Sequence, residues 1–301
     1  MKRAIVTGGA GFIGSHIVDA LLEIDVEVVV IDNESSDCHE AFYWNEKAEN
    51  HKLDICDYTN ISGLFKDVDI VFHLAAEARI QPAIKNPLLT VRVNVLGTCN
   101  VLQAAHTWGV RRVIYSSTSS AYGRNNPPPQ HEEMNKDCLN PYSVSKTCGE
   151  ELCKMYNNLY GLETISFRYF NVYGERQPTR GQYAPVVGLF AKQKASRLPC
   201  TIVGDGKQRR DYTYIADVVR ANMLAATTEN PAAVGELFNI GTGKNYNMFD
   251  LADMIDNQYV FIPLRPAESR ETLADITKAT SLLGWQPETS LEEWIKKSTN
   301  I

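Results

Sequence analysis

Nowhere in its 301 residues does this chain carry an apolar run approaching a membrane span, which takes roughly 20 residues. Its first residues read as a strand, not as the charged and then apolar pattern of a secretory leader. Basic charge is scarce. Against 36 acidic side chains stand 30 Lys and Arg, giving a net charge of -6 and a pI near 5.6. That balance argues against nucleic acid or a membrane surface as partner. Seven cysteines, an odd number with no C-x-x-C, suit small buried hydrophobes in a reducing, cytoplasmic compartment. Six histidines show no H-E-x-x-H spacing, so no metal site is expected. Internal repeats and low-complexity tails are missing too.

What the chain has is enough apolar residue, 44%, for one large α/β domain and a smaller lobe. Arg3-Ala4-Ile5-Val6-Thr7 reads as a buried strand running straight into Gly8-Gly9-Ala10-Gly11-Phe12-Ile13-Gly14. Residues Ser15 to Leu22 follow with helical spacing. Glycines here permit a tight turn and let the backbone approach a pyrophosphate at a helix N-terminus. A second strand, Glu27 to Ile31, ends at Asp32, 18 residues after Gly14. A carboxylate there accepts a ribose 2′-hydroxyl and repels a 2′-phosphate, which favours NAD over NADP.

Further strands are predicted at Val68–Leu74, Val113–Tyr115 and Thr164–Phe167. Between them, helical periodicity covers Val93 to Trp108, stopping at Gly109, and a segment from Tyr142 to near Gly161. Alternation of this kind implies a doubly wound parallel α/β sheet of Rossmann type with ligand at its carboxyl ends. Gly14, Asp32, Ala76 and Thr118 all fall at such ends. After Phe167 the alternation becomes irregular, so a dinucleotide-binding domain over 1–167 and a substrate-binding lobe over 168–301 are expected, with some segments returning to the sheet. The polar loop between Thr118 and Tyr142, with Pro127-Pro128-Pro129, reads as a solvated connection.

Tyr142-Ser143-Val144-Ser145-Lys146 is the chemically richest stretch. A bare Tyr-x-x-x-Lys arises by chance about once in such a chain, and Tyr43…Lys47 in a polar stretch is such a match. Tyr142 differs by context. Asn140-Pro141 reads as an N-cap with a first-turn proline, so Tyr142 and Lys146 share one helix face a turn apart. Upstream, the strand ends in the hydroxyls of Ser116, Ser117 and Thr118. The lysine ammonium and a positive nicotinamide ring are expected to lower the Tyr142 pKa, making it a base toward a substrate hydroxyl. Thr118 would share that hydroxyl, and Lys146 would also hold the nicotinamide ribose. Arginines at 168, 209, 210 and 265 read either as surface ion pairs or as forks for a diphosphate-bearing substrate.

In these segments the chain resembles the extended short-chain dehydrogenase/reductases acting on nucleotide sugars. The likeness runs from Thr7–Gly14 through His73–Ala76, Tyr142…Lys146 and Arg168–Asn171 to Arg210–Tyr212 and Leu283–Trp285. It is most similar to the UDP-glucose 4-epimerase group. That resemblance implies an NAD site at Gly8, Gly11, Phe12, Ile13, Gly14, Asp32 and Asn33, with Asp54 and Ile55 near the adenine. Leu74, Ala75, Ala76, Asn94 and Tyr169 complete it alongside Tyr142 and Lys146. It assigns Thr118, Tyr142 and Lys146 to catalysis, and Asn171, Arg210 and Arg265 to the substrate diphosphate. Thr272 aligns with the position thought to gate the sugar's C2 substituent, and threonine there should leave room for an N-acetyl group.

The implied activity is NAD-dependent 4-epimerisation of UDP-glucose and UDP-galactose, with UDP-GlcNAc and UDP-GalNAc also accepted, through a 4-keto sugar. A homodimer through the helices near 93–108 and 142–160 is implied as well. The dehydratases of the superfamily carry an Asp-Glu pair after the strand-end threonine. Ser119-Ser120 stands there instead, which disfavours water elimination. UDP-glucuronate epimerase or decarboxylase activity remains a rival within the superfamily. A non-catalytic NAD-sensing module is the rival outside it, and such a module has no use for Thr118, Tyr142 and Lys146 together.

Overall fold

Runs of β-branched and aliphatic residues with no polar alternation form strands buried on both faces. The computed structural model describes residues 1–180, 184–256 and 258–299, so the expected lobe over 168–301 is described as far as 299. Six strands come in order: β1 (Arg3–Thr7), β2 (Glu27–Asp32), β3 (Glu49–Lys52), β4 (Ile70–His73), β5 (Arg112–Thr118) and β6 (Glu163–Tyr169). A seventh, Leu237–Ile240, joins them from far along the chain. Across the sheet the order is Leu237–Ile240, β6, β5, β4, β1, β2, β3, and every pairing is parallel.

The strand order reverses between β1 and β4, which opens a crevice at their carboxyl ends. Register fixes what stands on that rim. Thr7 pairs with Ile31 on one side and His73 on the other, and Thr118 pairs with Tyr169. One sheet face is covered by helix α1 (Phe12–Leu22), through Ile17, Val18 and Leu21, and by the helix Ile215–Thr227. The other carries the helices Thr98–Thr107 and Pro141–Tyr160, whose Val101, Leu102, Cys153 and Tyr156 are buried against it. Each such large aliphatic burial contributes about 1.5–3 kcal/mol.

Beyond β6, residues 172–173, 200–203 and 209–211 each pair with a later strand in a small two-stranded sheet. Tyr173, Phe190, Ile202, Tyr246 and Leu251 form a separate apolar cluster there. Among the described residues, no helix is long and apolar enough to cross a membrane.

Three departures from the sequence reading have physical causes. The helix expected over 93–108 begins earlier and is broken in kind. Pro87–Val91 is α-helical, Arg92–Gly97 is a π-helical turn, and Thr98–Thr107 is α-helical again. Strand β3, Glu-Asn-His-Lys, has no apolar signal because it is a largely exposed edge paired only to β2. The proline-containing loop is not a solvated connection. Buried Gln130 exchanges backbone and side-chain hydrogen bonds with Leu273 at 2.7 and 2.8 Å, and Glu132 accepts from the Asn239 N–H at 2.7 Å. The loop therefore stitches the sheet to the segment after 270.

Candidate active site

At the end of β1 the chain must reverse in very little space. Gly8 has φ +69, and a Cβ there would stand 2.8 Å from the Ala75 nitrogen. A Cβ on Gly14 would meet the Gly8 carbonyl oxygen at 2.1 Å, so α1 can seat this close only with glycine. The turn forms one wall of a cavity of about 470 Å³, within the range of small-molecule sites. Gly11, Phe12, Ile13, Asp32, Asn33, Asp54, Ile55, Leu74, Ala75, Ala76 and Tyr169, all assigned to the dinucleotide by resemblance, also line it. Asp32 accepts from the Ala10 and Glu34 N–H groups at 3.1 and 2.8 Å, which orients its carboxylate into the cavity. The residues present fit an NAD molecule lying from Asp32 across the glycine turn.

Thr118, Tyr142 and Lys146 line the same cavity. The strand end carries Thr118, and the helix carries the other two. That helix starts where the sequence said: Asn140 caps it by accepting from the Ser143 N–H at 2.9 Å, Pro141 follows, and Gly161 ends it left-handed. Burial raises the Tyr142 pKa, and a hydrogen bond with Thr118 opposes that rise. The expected lowering by Lys146 and a nicotinamide ring together is not present in the protein by itself, where desolvation is the larger effect and Thr118 the one that opposes it. Burial also depresses the Lys146 ammonium, to about 8. The ammonium lies 4.7 Å from the centre of the Tyr115 ring.

Behind the cavity wall runs a buried polar chain. His73, fully buried, stands 2.7 Å from the Thr7 hydroxyl through Nδ1 and 2.9 Å from the Thr98 hydroxyl through Nε2. Thr98 donates its one proton to the Asn94 carbonyl at 2.7 Å, so it accepts from Nε2–H, and Nδ1 accepts from Thr7. Burial, with Lys146 nearby, holds the His73 pKa down at about 3. Asn94 in turn donates to Ser145 Oγ at 2.9 Å and exchanges hydrogen bonds with the Glu77 backbone. Asn94 is thus buried behind the cavity lining, where it braces the Tyr142 helix.

A second cavity of about 230 Å³ adjoins the first, sharing Ser119, Ser120, Asn171, Arg265 and Glu268 with it. Arg210 and Thr272 line only the second. Asn171 has φ 32, a strained conformation that asparagine tolerates, and donates to the Asp211 carbonyl at 2.7 Å. Buried Asp211 accepts four hydrogen bonds, from the Thr242 N–H and hydroxyl and the Gly243 and Ala274 N–H groups, which fixes the strand carrying Arg210. The arginines divide. Arg168 is buried in a two-pronged pair with Glu150 at 2.8 and 2.9 Å, and Arg209 bonds Asn245. Neither lines either of these two cavities, whereas Arg210 lines the second and Arg265 both.

Sequence reasoning missed several wall residues. Ile80 and Val186 are apolar residues on short helices with no polar signature, and Tyr212 is buried with its hydroxyl unpartnered among the described residues. Cys38, His39 and Phe42 lie in an irregular segment that carries no motif.

Residues 4–241 match the model of the NAD dependent epimerase/dehydratase family. A putative UDP-glucose 4-epimerase of Methanocaldococcus jannaschii is 39% identical over 98% of this chain and 97% of its own length. The Thermotoga maritima UDP-glucose 4-epimerase, solved with UDP-glucose, superposes with a TM-score of 0.92 at 35% identity, covering 99% of this chain and 97% of that one. A UDP-glucuronic acid 4-epimerase from Bacillus cereus, solved with UDP-glucuronic acid and NAD, gives 0.89 at 32% identity, with 99% and 98% covered. With a glycine turn, an acid at the end of β2 and a parallel sheet of seven strands, the chain belongs to the NAD dependent epimerase/dehydratase family, and its cofactor is NAD.

Proposed function

We propose that this chain is a 4-epimerase of UDP-hexoses, interconverting UDP-glucose and UDP-galactose and accepting the 2-N-acetyl sugars as well. The observation that carries the reading is the convergence of Thr118, Tyr142 and Lys146 on one cavity that opens into a second one flanked by Arg210 and Arg265. In this reading Arg210, Arg265 and Asn171 hold the diphosphate of the UDP-sugar. Gly8 to Gly14, Asp32 and Lys146 hold the cofactor. NAD supplies a hydride acceptor for C4 and then a donor to the opposite face, so none is consumed.

Tyr142 moves the proton. As a phenolate it takes the proton from O4 when C4 is oxidised, and it returns that proton to O4 when C4 is reduced. Burial works against the phenolate, so the positive charges beside it must supply the difference. Thr118, beside the phenol, shares O4 with it. Few carboxylates line these walls: among the described residues, Asp32, Asp54 and Glu268 are the only ones on either cavity. The first two lie at the expected adenosine end, and Glu268 is 3.8 Å from Arg210. Ser119 and Ser120 follow Thr118 without an acid, which supports epimerisation over dehydration.

The homodimer belongs to the same reading. Leu96, Trp108, Val144, Met155 and Leu159 are exposed on the two helical segments named above, an apolar surface that a partner would cover. Light scattering on the eluting protein should give about twice 33.7 kDa; the monomer mass would remove the dimer. The activity is tested by the epimerase assay that closes the Discussion, with Tyr142→Phe as its control.

A further inference from the structure

Residues 34–44, between β2 and β3, have no regular structure, yet both sides of the cofactor cavity hold them. On the sheet side, the Tyr43 N–H donates to the Ala10 carbonyl of the glycine turn at 2.8 Å. Toward the smaller lobe, the Cys38 carbonyl accepts from the Arg180 N–H at 3.3 Å. Glu40 accepts from the Thr179 hydroxyl at 2.8 Å and pairs with Lys192. The segment thus bridges the glycine turn and Thr179, Arg180 and Lys192. Its inner surface, with Cys38, His39 and Phe42, lines the cavity.

Ser35, Ser36 and His39 are the polar groups there; Ser36 bonds the Cys38 thiol at 3.0 Å, and His39 is the ring among them. Its ring lies against Phe42, centroids 5.5 Å apart, and Nε2 comes within 3.8 Å of where a Cβ on Gly11 would stand. Among the described residues its ring nitrogens have no hydrogen-bond partner, which leaves them open to a molecule in the cavity. Arg79, also on the cavity wall, is committed to Asp37 at 2.8 Å. The nucleotide atoms expected over Gly11 are the diphosphate oxygens, which accept from any N–H brought to them.

We propose that residues 34–44 are a strap closed over the cofactor's diphosphate, and that His39 is the strap's ligand to that diphosphate. Burial and the Arg79 guanidinium hold the imidazole below its ordinary pKa, so at neutral pH it serves as a neutral N–H donor. Such a strap would also slow release of the cofactor, since the Glu40 and Cys38 contacts must open first. This inference rests on the cavity being the NAD site.

The test is calorimetric titration of the full-length protein, freed of nucleotide, with NAD and separately with adenosine, which lacks the diphosphate. His39→Ala should weaken NAD binding about tenfold and leave adenosine binding unchanged. His39→Gln, which keeps an N–H donor, should recover part of the loss. Equal losses for NAD and adenosine, or no loss for NAD, would overturn the role of His39. A wild-type protein that bound neither ligand would instead overturn the cavity's assignment, so the two failures are distinguishable.

Discussion

The Tyr115 hydroxyl donates to the Lys146 carbonyl at 3.1 Å while the Lys146 ammonium sits 4.7 Å from the centre of the same ring. One buried aromatic on β5 thereby fixes both ends of the lysine. The contact needs Gly149, one turn on, because a Cβ there would lie 2.1 Å from the Tyr115 hydroxyl.

Gly149→Ala should therefore do more harm than a helix glycine replaced elsewhere. Alanine normally favours a helix over glycine by about 1 kcal/mol, but here the overpacking should dominate and cost about 1–3 kcal/mol. Urea denaturation measures the stability. The same change at Gly63, where an added Cβ meets nothing, should leave stability equal or higher.

The His73 environment makes acid stability a second test. Folding lowers its pKa from 6.5 to about 3, so between these values the unfolded chain binds the extra proton. Unfolding free energy must then fall as pH drops through that window, by up to about 1.4 kcal/mol per pH unit for one proton. His73→Asn should be less stable at pH 7 and should lack this part of the acid slope. An unchanged slope in denaturation curves from pH 6.5 to 4 would contradict the buried neutral imidazole.

Much of the sheet and its rim was legible because buried parallel strands leave continuous apolar runs, and β1, β2 and β5 are such runs ending in Thr7, Asp32 and Thr118. The Tyr142 helix was legible for another reason: its cap, proline and terminal glycine are local signals. What stayed hidden depends on tertiary partners. Strand β3 owes its existence to the β2 edge and not to its own residues. The partner of Arg168 is Glu150 on a helix 18 positions earlier, and nothing in either local sequence announces it. Phenol basicity could not be read either, because its sign depends on how deeply Tyr142 is desolvated.

Thr272 offers a third test. It is buried on the second cavity, with the Asp211 N–H donating to its hydroxyl at 3.4 Å. Thr272→Tyr should keep turnover of UDP-galactose within a few-fold and lower kcat/KM for UDP-GalNAc by about 10–200-fold, the range for filling a pocket. Equal rates for the variant and wild type on UDP-GalNAc would remove Thr272 as the gate.

The most direct measurement incubates purified protein, with no NAD added, with UDP-galactose and separately with UDP-GalNAc, and resolves products by anion-exchange chromatography and mass. The account predicts the C4 epimer of each at unchanged mass. Tyr142→Phe should lower the rate by about 10²–10⁴-fold, the usual worth of acid–base catalysis. A product lighter by water, no product from protein carrying NAD, or near-wild-type turnover by Tyr142→Phe would contradict it.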